Sequence, residues 1–478
     1  MNFFHKSILA LSCLALFGLQ GCTTKSDDGK NPLVNHDVDE DKWDNLTYAQ
    51  QELYFNGWLL SVYYVNADKE LEDFDYYDGK GVKNGYPTKY YEFPDVSYMY
   101  STLSDNFTNY FSPMYAEQIF NALTYSEEKL DLGVDVEEVT VPDCEGEESC
   151  EKTKSVLVFK HVYPEAPAAK AGIKKGDTLI SVDGIEIQYE SAFQKLSSGD
   201  ANEKINIAVK RGDEELSFKA LLEAYLAPSV FVDTEDGIPV ITITEFIDTT
   251  YLNTGTYGEF MDALKETEGA EATIIDLRGN PGGSVDQCMD MTAELLSKND
   301  TMAFMVTHEP DTNTLELIVD TLVWTASENG LGKDRYYVFL ADSGSASCAE
   351  LMLVGATSNT KSPVVGLTTY GKGIGQSYVG TYAGGIAGIT SMRMIDKNGK
   401  IYHRYGIEPD YVEGDPDEAM AIAVELAKEK KAVRTKEYGS KDTGHFTLAK
   451  SRASSKAPER GGAYKVIRKK LQKPFPFK

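Results

Sequence analysis

The chain is expected to fold as a layered α/β core joined to a small strand-rich domain and a helical N-terminal region. Three observations predict this. Strand and helix patterns alternate twice: residues 239–246 are apolar and β-branched, 254–267 have helical spacing and 272–277 are strand-like again, while 337–341 read as a buried strand, a helix begins near Ser347 and 364–366 form a further strand. Residues 131–224 change to short strands separated by Gly and Asp turns. Residues 46–65 set Leu53, Tyr54, Trp58, Val62 and Tyr63 at helical spacing. A length of 478 residues has room for two or three such domains. A formal net charge of −28 argues against nucleic-acid binding by the body of the protein and is accounted for by solubility.

The first residues are read as a targeting signal. Lys6 precedes an apolar run at 8–19, too short to span a membrane, and Leu19-Gln20-Gly21-Cys22 resembles a bacterial lipoprotein cleavage site, with Cys22 as the lipidated residue. An ordinary secretory signal is the competing reading, and both imply export. Asp27 and Asp28 resemble the acidic export signals of some Gram-negative lipoproteins, which gives an expected place in the cell envelope of a Gram-negative bacterium, lipid-anchored on the periplasmic face or the cell surface. Residues 23–42 read as a flexible tether and 43–130 as the helical region, with a second helix at 114–123 announced by Ser112-Pro113. An oxidising compartment would let Cys144 and Cys150 pair, whereas Cys288 and Cys348 fall in apolar helical patterns and read as buried thiols.

Within residues 131–224 one signature stands out: Tyr163-Pro164-Glu165-Ala166-Pro167-Ala168-Ala169-Lys170-Ala171-Gly172, then Gly176-Asp177, then Asp183-Gly184. Small alanines make a short helix, Gly172 ends it, and Asp183-Gly184 makes a hairpin turn. This resembles a PDZ domain of the permuted bacterial type, which implies capture of a peptide end as an added strand, with Leu132, Gly133 and Val134 as the expected carboxylate loop. The acidic insertion at 136–152 departs from the compact pattern.

The core spans 225–428. Its strand at 272–277 runs into Asp276-Leu277-Arg278-Gly279-Asn280-Pro281-Gly282-Gly283, a turn whose glycines admit close backbone approach. A phosphate loop would need Lys-Ser or Lys-Thr after the last glycine, where this chain has Ser284-Val285. Later come Ser343, Ser345 and Ser347 before Glu350, then Gly371-Lys372-Gly373, a predicted hairpin at Asn398-Gly399, Gly406-Ile407-Glu408-Pro409-Asp410 and a helix at 416–428. Residues 429–478 read as a basic, disordered tail.

In this order, the PDZ signature, the Gly turn and the Ser and Lys stretches resemble the C-terminal processing (tail-specific) protease family of serine peptidases over residues 102–428. The resemblance implies a crotonase/ClpP-like layering of strands and helices, with Ser347 as nucleophile, Lys372 as base 25 positions on, and Gln376 as the third residue, hydrogen-bonded to the amine. The chemistry is consistent. A serine hydroxyl needs a base, no histidine lies near these motifs, and a lysine can serve only if burial lowers its pKa from about 10.4 toward 7–8. The Cys348 amide and a Gly282 or Gly283 amide are the expected oxyanion donors. The resemblance implies no metal or organic cofactor, and polypeptide substrates as partners. A catalytically silent peptide-binding scaffold is the second reading; a hydratase-like enzyme acting on a thioester is the third.

Overall fold

In the computed structural model the described residues are Trp43, 45–142, 153–187, 190–310, 317–430 and the backbone of 462–470. Cys22, the tether, the Cys144–Cys150 pair and most of the basic tail lie outside them. The chain divides into two compact units, one holding the described residues up to 121, 235–238 and those from 269 on, the other 122–234 and 239–268.

The N-terminal region opens with α1 (Tyr48–Tyr63), begun by a capping box in which Gln50 N donates to Thr47 Oγ1 and Thr47 N to Gln50 Oε1. After α2 (Pro94–Ser101) and a three-residue strand, β1 (Asn109–Phe111), comes α3 (Pro113–Thr124), with Pro113 in its first turn as expected. The tyrosines of this region divide: Tyr54, Tyr64 and Tyr77 are buried with Leu53, Leu60 and Phe74 in a cluster that includes Ala387 and Ile389 of a strand far along the chain, whereas Tyr48, Tyr90 and Tyr115 are exposed.

The second unit contains the strand-rich domain. Strands β2 (Val134–Pro142) and β3 (Thr153–Val162) form a long hairpin. Next come α4 (Pro167–Ala171), β4 (Thr178–Val182), α5 (Glu190–Leu196), β5 (Lys204–Arg211) and β6 (Glu214–Leu221), giving the sheet order β2-β3-β4-β5-β6. Gly172 takes φ 100° and ends α4, as its sequence predicts. Asp177, in the Gly176-Asp177 turn, is buried and accepts from Arg211 Nε at 2.6 Å and Nη2 at 2.7 Å. The same unit holds β7 (Val230–Glu235) and β8 (Ile238–Ile243) up to their turn, and α6 (Gly255–Glu266).

In the first unit β9 (Ala272–Asp276) leads through the Gly turn to α7 (Val285–Ala293), and β10 (Thr301–Pro310) pairs with β11 (Leu317–Ala326). Then follow β12 (Tyr336–Ala341), α8 (Cys348–Thr360), β13 (Val364–Gly366), β14 (Ile374–Gly380), β15 (Ile386–Asp396), β16 (Tyr411–Val412) and α9 (Pro416–Glu429). Strands β9, β12, β13 and β16 lie parallel in that order, and β9 is buried on both faces, as a parallel strand with covered faces should be. A second sheet joins β15 to β1, β10 and β14.

Two expectations fail. Asn398-Gly399 does make a turn, with Gly399 N donating to Asp396 O and Asp396 N to Lys400 O, but no strand follows it: the chain runs on through a further turn at 403–405 instead of pairing back along β15. The basic tail is not wholly without structure: β17 (Gly462–Lys470) pairs antiparallel with β11, and its Ala-Tyr-Lys-Val-Ile run supplies β-favouring residues that the charge count obscured.

Candidate active site

Strand β12 ends at Ala341, and the next turn is locked from within. Asp342 Oδ1 accepts from the amides of Gly344, Ser345 and Gly279, and Ser345 Oγ donates to Leu277 O at 2.8 Å while accepting from Asp342 N at 2.9 Å. Ser345 is thus a buried structural hydroxyl and Ser343 an exposed turn residue. Ser347 stands half-exposed at the start of α8 with φ 55° and ψ −113°, a conformation costly for any residue with a Cβ. That strain sits at a serine with the first turn of a helix behind it.

The Gly turn reaches the same place. Ala346 N donates to Asn280 O at 2.9 Å. Gly282 has φ 102°, and a Cβ there would stand 2.6 Å from Ser347 Cβ and 2.9 Å from Cys348 N, so only glycine fits. The Gly282 amide, expected as an oxyanion donor, is spent on Asn280 Oδ1 at 2.8 Å. Among the described residues the amides of Gly283 and Cys348 donate to no protein acceptor, and they remain as the donor pair. Cys348 is buried with its thiol on Gly283 O at 3.3 Å, and Cys288 is likewise a buried free thiol. Arg278 does not face this turn as a donor; its guanidinium grips Asp276 and the carbonyl of Pro416.

Glu350 joins the nucleophile to the lysine. It is fully buried, and its carboxylate accepts four hydrogen bonds: Oε2 from the amides of Ser347 (3.0 Å) and Lys372 (2.7 Å), Oε1 from the Gly371 amide (2.7 Å) and Thr369 Oγ1 (2.5 Å). Burial pushes the Glu350 carboxyl above its ordinary value, and these four donors pull it back. Thr369 Oγ1 also accepts from Ile407 N, which ties the Gly406-Ile407 element to the site. Close contact of Gly371 with Gly406 N leaves no space for a side chain.

Lys372 is half-buried. Burial lowers its pKa from the ordinary lysine value, against the opposing charges of Asp105 and Glu350. Its amine lies 4.8 Å from the Phe107 ring centroid. Gln376 does not take the role expected of it: its Nε2 donates to Thr390 Oγ1 at 3.0 Å, and no hydrogen bond joins it to Lys372, because the bulge between Gly375 and Gln376 turns it onto β15.

Leu132, Gly133 and Val134 line a groove of about 340 Å³ between the start of β2 and α5, with Phe193 and Ser197 opposite. Two of the three amides of the loop are engaged within the domain. Leu132 N donates to Ser197 O at 2.9 Å and Gly133 N to Asp131 Oδ1 at 2.7 Å.

Residues 237–413 match the model of peptidase family S41, and residues 131–222 match that of the PDZ domain. The chain thus carries a peptidase family S41 domain and a PDZ domain. A probable CtpA-like serine protease of Staphylococcus haemolyticus is 29% identical over 269 residues, which are 55% of this chain and 51% of that one. Its counterpart in Staphylococcus aureus strain COL is 24% identical over 410 residues, covering 81% and 78%. The chain thus spans about half the length of the first of these relatives. Among solved structures, the photosystem II D1 C-terminal processing protease is similar at 16% identity and a TM-score of 0.45, covering 79% of this chain and 98% of that one, and a putative S41 protease of Bacteroides fragilis at 14% and 0.43, covering 76% and 91%.

Three residues of the site had no role assigned from sequence. Glu350 was legible in principle, since Ser-x-x-Glu at a helix start is a capping-box spacing. Thr369 and Phe107 had no signal: neither falls in a motif, and Phe107 lies far from the rest in sequence.

Proposed function

We propose that the chain is a serine endopeptidase with a Ser347–Lys372 dyad, which cleaves exported polypeptides whose C-terminal or unfolded segments are captured by the PDZ domain. The observation that carries the dyad is the Glu350 carboxylate, which accepts from the amides of both residues on one oxygen. Neutral Lys372 takes the proton of Ser347 Oγ as the hydroxyl attacks the peptide carbonyl. The oxyanion is held by the Cys348 and Gly283 amides, the first of them at a helix N-terminus. The lysine ammonium then gives its proton to the leaving amine. Water attacks the acyl-serine with the lysine again as base, releasing the carboxylate and restoring the hydroxyl.

Hydrolysis of casein tests this. Ser347→Ala is expected to lower the rate at least about 10⁴-fold, with folding unchanged by circular dichroism. No hydrolysis by either protein would leave the peptide-binding scaffold as the reading, and equal hydrolysis by both would remove Ser347 as the nucleophile. Export and anchoring through Cys22 belong to the same proposal. Incorporation of a labelled fatty acid, lost in Cys22→Ser, is the expected result; among the described residues no helix is long and apolar enough to cross a membrane.

A further inference from the structure

We propose that Phe107, on the loop before β1, is a positioning residue for the reaction: its ring roofs the Lys372 amine and keeps bulk water away from it. The inference rests on the Ser347–Lys372 reading. The loop is built to hold a ring in place. Asp105 Oδ1 accepts from Phe107 N at 3.0 Å and Oδ2 from Thr108 Oγ1 at 2.7 Å. Thr108 Oγ1 accepts from Thr390 N at 3.0 Å, and Thr390 Oγ1 accepts from Gln376 Nε2. Immediately after the loop, Asn109 to Phe111 pair with Gly388 to Ile386 on β15. The N-terminal region is thereby laced to the strands behind the lysine, and Gln376 acts in that lacing instead of on the amine.

The groups facing Lys372 come from several elements. Cys348 and Glu350 lie on α8 and Asp105 on the Phe107 loop, and the two carboxylates favour the ammonium. The 402–405 turn brings His403, whose backbone abuts Gly373, and Arg404, whose amide donates to Gly371 O at 2.7 Å. Arg393 on β15 is opposite Ile374, with its guanidinium drawn to Asn66 Oδ1. Phe107 contributes an uncharged wall. A ring over an amine has two opposite effects: its quadrupole favours the cation by about 0.5–2 kcal/mol, and its bulk strips water, which disfavours the cation. Burial is the largest influence on Lys372 and acts downward, so exclusion of water prevails.

The test uses the full chain and two readouts. In a Ser347→Ala background, trace acetylation of Lys372 mapped by mass spectrometry from roughly pH 6 to 11 gives the titration midpoint of the amine itself. In the active chain, the acid limb of kcat/KM against pH gives the midpoint of the base. Phe107→Ala is expected to move both midpoints up by about one pH unit and to lower kcat/KM near neutrality about tenfold. Phe107→Leu, which keeps an apolar cover without a π face, is expected to leave both near wild type. Should Phe107→Ala fail to fold, Phe107→Gln, which keeps bulk but admits a polar group, carries the same expectation. An acetylation midpoint unmoved by Phe107→Ala, or moved as far by Leu as by Ala, would overturn the proposal. A shifted acetylation midpoint with an unshifted activity profile would uphold the roof and sink Lys372 as the base.

Discussion

The turn at Ser347 and the loop at 132–134 carry the amides that the proposed function assigns to an oxyanion and to a peptide carboxylate, and they treat those amides differently. At the serine, every neighbouring donor is satisfied by a named acceptor: Gly282 by Asn280, Gly279 and Gly344 by Asp342, Ser347 and Lys372 by Glu350. Only then are Cys348 and Gly283 left without a protein acceptor among the described residues. At the PDZ loop, Leu132 and Gly133 are both engaged by their own unit. An unmade hydrogen bond at a buried amide costs about 1–3 kcal/mol. The first site bears that cost at Cys348 and can stabilise an oxyanion with no rearrangement. In the second, two of the three amides are engaged at rest, and on the proposed reading a peptide carboxylate received by those two would displace Ser197 or Asp131, at a cost in affinity. One site is prepared for a transient charge; the other trades tightness of binding for stability when empty.

The sharpest way to break the contrast is to disturb the prepared site without touching its ionisable groups. Gly282→Ala introduces a methyl group 2.6 Å from Ser347 Cβ at a residue with φ 102°. The Ser turn must shift, and kcat for casein is expected to fall about 10²–10³-fold, with peptide binding to the PDZ domain unchanged by fluorescence anisotropy. Activity within threefold of wild type would mean that the free amides are not held by this close packing.

A smaller effect should make the resting loop resemble the prepared one. Asp131→Ala removes the acceptor of Gly133 N and a negative charge beside it, at the cost of the Tyr225 hydroxyl's bond to the same oxygen. In a Ser347→Ala background, peptides with a free C-terminal carboxylate are expected to bind about three- to tenfold more tightly than to the parent, roughly one hydrogen bond to a charged group. The same peptides with an amidated end should gain little. An equal gain for both would show that the loop does not receive the carboxylate.

What was legible in the sequence follows from where the constraints are local. Ser347, Lys372 and the Gly turn lie in short motifs whose spacing is fixed by single turns; β12 and β13 begin and end within a residue of expectation, and α8 begins within one. The pairing of β1 with β15 and the approach of Phe107 to Lys372 depend on contacts across most of the chain, which no window of sequence contains. Gln376 shows the limit of the middle case. Its position followed the expected pattern, but its direction was set by a bulge and by Thr390, which only the sheet register reveals.

The smallest effect expected concerns how the unit that bears the PDZ loop keeps its resting form. His161 on β3 bonds Asp135 through Nδ1 at 2.9 Å and Asp233 on β7 through Nε2 at 3.1 Å, and Lys160 and Lys175 also approach Asp233. Burial alone would lower the His161 pKa, but the bonds to Asp135 and Asp233, and the charges of both, outweigh it and raise it. A group raised in the folded state stabilises fully below its unfolded value, about 6.5, and that stability is lost as pH rises through the folded value. Asp135 is nearly half exposed, so solvent screens part of the gain, and about 1 kcal/mol is expected. His161→Gln should therefore be less stable than wild type by that amount in denaturant titrations at mildly acid pH, with the two curves converging in mild alkali. A gap that stayed constant across this range would mean that packing, and not the proton on the imidazole, joins β3 to β7.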